Sequence, residues 1–184
     1  MKRAIALILL LAACREDVAA VPSPVEMTAQ TLGYYCQMNV LEHPGPKAQV
    51  HLAGQPGTPL FFGQVRDAVA YQRMPEQSAE ITAIYVNDMG VAPSWDDPGT
   101  GNWVPLDQVQ FVVGSDQTGG MGVAELVPFH DPAQAAAFVA AHGGVVMSLA
   151  DIPDADVVPP AADTGTDDQD YTDRLRKLDE KTGG

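Results

Sequence analysis

Between about residues 34 and 150, short apolar runs alternate with clusters of Gly, Pro, Asn and Asp. Compact runs bounded by such breakers read as strands, and longer stretches with apolar residues three and four apart read as helices. Ala48 to Leu52 and Leu60 to Phe62 are predicted strands, Gln64 to Arg73 a helix stopped by Pro75, and Ile81 to Val86 a strand. The second half follows the same order, with strands at Val109 to Val113 and Ala124 to Phe129, a helix at Pro132 to His142, and a strand at Val145 to Leu149. That helix is clearly punctuated: Asp131 can cap it, Pro132 suits its first turn, and Gly143 follows its end. An offset of 67 superposes the halves, pairing Phe62 with Phe129, Ala68 with Ala135 and Tyr71 with Phe138. The predicted class is α+β, two tandem β-β-α-β units at 34–88 and 103–150. One such unit would leave a bare sheet face, so the two are expected to pack as one domain.

Both ends differ from this core. Lys2 and Arg3 precede an apolar run from Ala4 to Ala13, and Leu11-Ala12-Ala13-Cys14 closes it with small residues before a cysteine. This is the pattern of a secretion signal, and the run falls short of the ~20 residues that cross a bilayer. The four closing residues look like a bacterial lipoprotein box. Residues 1–13 are then a removable signal, and Cys14 is the lipidated first residue of a tether over 14–33, with Pro22 and Pro24 interrupting it. Each acyl methylene adds about 0.8 kcal/mol of anchoring. Arg15, in place of Asp after Cys14, resembles the sorting pattern for the outer membrane more than the inner. From 151 to 184 the chain turns acidic and Pro-rich and lacks the apolar content for a core, so it is expected to be a disordered tail.

The formal net charge is −14, and loss of Lys2 and Arg3 with the signal takes it to −16. Such a surface repels phosphate backbones and anionic lipid, which argues against nucleic-acid binding and leaves membrane attachment to the acyl chains.

With Cys14 assigned to lipid, Cys36 is the remaining thiol of the chain. A lone thiol in an oxidising compartment calls for a metal, a catalytic role or burial. Cys36-Gln37-Met38 offers a thiolate and a thioether, and in an extended segment both would project to one face. Soft sulfur ligands favour Cu(I), whereas zinc wants more thiolate or imidazole and calcium wants oxygen. His43, His51, His130 and His142 are scattered without ligand spacing. Two sulfurs leave Cu(I) under-coordinated, so a third soft ligand is expected. Met27 falls in the tether, Met74 at a helix end and Met147 in an apolar strand. Met89 and Met121 lie in loops, and the glycines flanking Met121 favour it.

Tyr35-Cys36-Gln37-Met38, the Trp103 segment leading into Phe111-Val112-Val113-Gly114-Ser115, and Gly120-Met121-Gly122 together resemble the NosL family of nitrous oxide reductase accessory lipoproteins. The likeness covers the lipoprotein box and about Tyr34 to Leu149. It implies a non-enzymatic, periplasm-facing Cu(I) chaperone, lipid-anchored to a bacterial membrane, with Cys36, Met38 and Met121 as copper ligands. Its implied partners are nitrous oxide reductase, whose copper-sulfide centre it would help assemble in denitrification, and the membrane-bound maturation machinery of that enzyme. It also implies paired β-β-α-β units and leaves a homodimer open. Two alternatives stand beside it: a thiol-dependent enzyme related in fold to organomercurial lyase, and a structural lipoprotein in which Cys36 is buried.

Overall fold

The computed structural model describes residues 20–75 and 77–158. Strands β1 (Ala48–Leu52) and β2 (Leu60–Phe62), helix α1 (Val65–Arg73), strand β3 (Ile81–Val86) and the short strand β4 (Val104–Pro105) make the first unit. Strands β5 (Gln110–Val113) and β6 (Val127–Phe129), helix α2 (Pro132–His142) and strand β7 (Val145–Met147) make the second, followed by a short helix α3 (Asp154–Val157). The first sheet runs β2-β1-β3-β4 and the second β6-β5-β7, with every pair antiparallel. In each unit the first strand is therefore central, between the strands that flank the helix. This is the topological repeat expected from the sequence, with β4 as an addition. The offset of 67 carries β2 onto β6 without a slip, whereas β1 and β5 are out of step because the intervening loops differ in length.

The halves share a core, as expected. Ala48, Val50 and Leu52 alternate inward along β1 and meet α1, while Phe111 and Val113 from β5 join the same cluster from the second unit. The other face of the second sheet, through Val112, Val127 and Phe129, packs on Ala135 of α2. Asp131 caps α2 by accepting the Ala133 N–H at 2.9 Å, Pro132 opens it, and Gly143 ends it at φ +72°. Glycine tolerates that left-handed angle at no steric cost.

Packed chain extends beyond the predicted core at both ends. Within the predicted tether, Val25 pairs with the side chain of Gln49, N–H to Oε1 at 2.8 Å and Nε2–H to the Val25 carbonyl at 3.0 Å. Tyr85 Oη donates to the Pro22 carbonyl at 2.7 Å, and Met27 is buried. The segment thus straps the outward face of β1, which explains why Gln49 and His51 are buried there. Past residue 150, Ile152 and Val157 are buried, and α3 lies against α1. The signal, Cys14, and the tail from 159 lie outside the described residues. No helix among the described residues is long and apolar enough to cross a membrane.

Candidate metal centre

Cys36 and Met38 sit on a turn between two short bridges. Leu32 pairs with Asn39 at its base, and Gly33 pairs with Phe61 of β2, with the Tyr34 N–H donating to the Phe61 carbonyl at 2.6 Å. Asn39 locks the exit: its Nδ2–H donates to the Ala29 carbonyl at 3.1 Å and its Oδ1 accepts the Leu41 N–H at 3.0 Å. Val40, fully buried, anchors the chain just beyond the turn. The stretch is not extended, so the condition under which both sulfurs would project to one strand face is not met. Gln37 N–H donates to the Gly33 carbonyl at 2.8 Å, Gly33 N–H donates to the Met38 carbonyl at 2.9 Å, and Gln37 stands at φ +55°. A non-glycine residue in that region is uncommon and is held only where the surroundings over-determine it. Here the Gln37 side chain supplies the hold, its Nε2–H donating to the Tyr34 carbonyl at 2.8 Å and to the Gly33 carbonyl at 3.3 Å. The Cys–x–Met pair is therefore shaped by a tight turn and not by strand alternation.

Cys36 is a free, half-buried thiol whose Sγ donates to the Met38 carbonyl at 4.0 Å. Met38 is 41% exposed. Tyr34 and Tyr35 pack edge-on against Phe62, and Tyr35 Oη points at the Met74 sulfur at 3.8 Å. Burial, with the Asp67 charge second, pushes the Tyr35 hydroxyl up from its ordinary value. The turn thus rests on an aromatic floor, with one further exposed thioether, Met74, at its rim.

Met121 lies at the tip of a hairpin whose base is the Thr118–Ala124 bridge. Gly122 N–H donates to the Gly119 carbonyl at 2.9 Å, closing a four-residue turn, and Gly122 takes φ +74°. The Met121 side chain is 48% exposed, in keeping with the expectation that its glycines hold it out of the core. The hairpin is fastened to the first unit. Met121 N–H donates to Gln64 Oε1 at 3.2 Å, and Trp95 Nε1–H donates to the Thr118 carbonyl at 3.3 Å. Gly33, on which the Cys36 sulfur leans, has Gly63 as a neighbour: a β-carbon at residue 33 would stand 3.8 Å from the Gly63 nitrogen. The two sulfur-bearing segments accordingly meet the same dipeptide, Gly63-Gln64, at the start of α1.

Under this junction lies a buried polar group that sequence inspection did not single out. Glu125, read from the sequence as part of a strand, is a fully enclosed carboxyl whose Oε1 accepts the Arg66 N–H at 3.0 Å and the Leu126 N–H at 2.8 Å. Burial pushes it up to about 8, against the pull of those two N–H groups. Lys47 is also buried, its ammonium donating to the carbonyls of Pro44, at 3.1 Å, and Gly45; desolvation lowers it to about 8. Neither residue has an outward sequence signal of burial, because a charged residue ordinarily reads as surface.

The remaining candidates separate cleanly. Met89 packs on the second sheet's cluster and donates its N–H to the Pro128 carbonyl at 2.9 Å, so it is structural. His51 is buried with Nε2 at 2.9 Å from Gln49 Oε1, His130 Nδ1 meets the Gln108 carbonyl at 3.0 Å, and His142 Nδ1 meets Asp116 at 3.0 Å. His43 Nε2, like His51 Nδ1, is buried without a hydrogen-bond partner, and the His43 ring lies directly against Gly120. Among the described residues no three His, Cys, Asp or Glu side chains converge as a metal site.

A family model for NosL matches residues 24–157. The chain is 58% identical over 180 residues to the copper-binding lipoprotein NosL of Achromobacter cycloclastes, covering 95% of this chain and 92% of that protein. It is 29% identical over 138 residues to the copper-binding lipoprotein NosL of Stutzerimonas stutzeri, covering 75% and 70%. The crystal structure of the copper chaperone NosL from Shewanella denitrificans superposes with a TM-score of 0.66 at 28% identity, covering 72% of this chain and 97% of that one.

Proposed function

The chain belongs to the NosL family, and from that membership we propose that it is a carrier of Cu(I), bound by Cys36, Met38 and Met121 and passed to another protein. The observation that carries this is the pairing of one half-buried thiol with exposed thioethers on two turns that meet at Gly63-Gln64. Thiolate and thioether are soft donors and suit Cu(I) above zinc or the hard cations. The thiolate supplies affinity, and the neutral thioethers exchange readily, leaving room for an incoming ligand from an acceptor. Because the thiol binds as thiolate, affinity falls as pH falls.

The site favours carriage over catalysis. A nucleophilic thiol needs a base within hydrogen-bond reach, and the hydrogen bond that Cys36 makes among the described residues goes to a carbonyl. The relatives from Achromobacter cycloclastes and Stutzerimonas stutzeri are named lipoproteins, which supports lipidation of this chain at Cys14 and attachment to the periplasmic face of a membrane, the outer one on the strength of Arg15. The acceptor in this proposal is nitrous oxide reductase with its membrane-bound maturation machinery. Incubating Cu(I)-loaded protein with copper-depleted nitrous oxide reductase under anaerobic conditions tests the assignment. Copper and the spectrum of the copper-sulfide centre should appear in the enzyme when the machinery and a sulfide source are supplied. Copper that stays on the carrier would refute delivery to this client.

A further inference from the structure

Gln64 precedes the first turn of α1, where a side chain ordinarily accepts a bond from the free N–H groups of its own helix. It makes no such bond. Gln64 is 2% exposed and its amide is engaged elsewhere, Oε1 accepting the Met121 N–H at 3.2 Å and Nε2–H donating to Asp67 Oδ2 at 3.1 Å. The helix end is capped instead from the other half of the chain by Glu125, through the Arg66 N–H. Gly119 fits between the two: a β-carbon there would lie 2.6 Å from Gln64 Oε1 and 2.6 Å from Glu125 Oε2. The exchange of caps stitches the Met121 hairpin to α1 at the point where Gly63 touches the Cys36 turn.

Resting on the copper assignment above, we infer that Gln64 is a positioning residue for copper binding, fixing the Gly119–Gly122 turn so that Met121 is presented to the Cys36 turn. It is not itself a ligand, since both ends of its amide are occupied by protein groups. A turn with glycine at three of four positions has much backbone freedom to lose. If nothing pinned it, binding through Met121 would carry that ordering cost.

The test is anaerobic Cu(I) titration against a competing chromophoric chelator, with X-ray absorption at the copper edge, on the unaltered chain and on Gln64→Leu, Met121→Ala, their combination, and Cys36→Ala. Gln64→Leu should weaken binding about five- to tenfold, the scale of one lost hydrogen bond, and remove one sulfur from the copper shell. Added to Met121→Ala it should cost nothing further. Equal weakening in both backgrounds marks a general structural role and overturns the inference, as does unchanged affinity with a full sulfur count. Gln64→Asn, which keeps the amide but shortens its reach, gives the same comparison should the Leu variant not fold. Loss of binding in Cys36→Ala with none in Gln64→Leu defeats the positioning role alone. Retained affinity in Cys36→Ala defeats the copper site with it.

Discussion

The sulfur of Cys36 lies 2.5 Å from where a β-carbon on residue 33 would stand, so Gly33 is what leaves room for the thiol. The same glycine closes the turn from both sides, giving its N–H to Met38 and its carbonyl to Gln37. Gly33→Ala must either push the sulfur outward or open the turn. Overpacking of this kind costs ~1–3 kcal/mol. Cu(I) affinity is expected to fall about tenfold or more, measured by chelator competition, with a lowered unfolding midpoint in urea.

Glu125 and Lys47 give stability opposite pH dependences. Glu125 is raised from an ordinary 4.5 to about 8, so the folded chain holds a proton that the unfolded chain releases. Its contribution is complete below about pH 4.5 and is lost as pH climbs through about 8. Lys47 is lowered from 10.5 to about 8, so its buried charge burdens the fold below about pH 8, and stability recovers towards about pH 10.5. Glu125→Gln is expected to flatten the decline between about pH 5 and 8 and, because the Glu125 charge supports the Lys47 ammonium, to strengthen the alkaline rise. Urea unfolding at a series of pH values checks this, and an unchanged slope in the Gln variant would count against a buried protonated carboxyl.

What could be read from the sequence was what local chemistry decides. The limits of α2 follow from Asp131, Pro132 and Gly143, which act on their immediate neighbours. The strands β2 and β3 follow from compact apolar runs, and β1 from Ala48, Val50 and Leu52 alternating with Gln49 and His51. The candidate ligands could be named from residue type, but the shape of the turn that carries two of them could not be read. That Cys36 and Met38 share a turn depends on Gly33 pairing with Phe61 in a distant strand, and on Gln37 adopting a left-handed angle that its own side chain holds. Glu125 looked like an ordinary strand residue because the helix end it caps is 59 residues away. The strap from Pro22 to Met27 was equally hidden, since it docks through a glutamine amide and not through an apolar stripe.

The segment after residue 150 offers a direct check on the enlarged core. Ile152 and Val157 are buried, Arg66 Nη2 donates to the Val157 carbonyl at 3.2 Å, and Arg73 reaches Asp154 at 2.7 Å. The exposed Arg73–Asp154 pair contributes little, but two buried aliphatic side chains contribute about 3–6 kcal/mol together. A chain ending at residue 150 is expected to lose most of that relative to one ending at 158, as read by chemical denaturation. Equal stability of the two would show that the segment does not belong to the core.

In the proposed copper site the order of ligand importance follows from chemistry and exposure: the thiolate first, then Met38 on the same turn, then Met121 on its own hairpin. Met121→Ala is accordingly expected to weaken Cu(I) binding less than Met38→Ala, in the same chelator competition. The decisive measurement is anaerobic Cu(I) titration of the unaltered protein and of Cys36→Ala against a competing chelator. One tightly held Cu(I) in the former and no competitive binding in the latter is the expected result. Equal affinity in the two would contradict copper carriage at this turn.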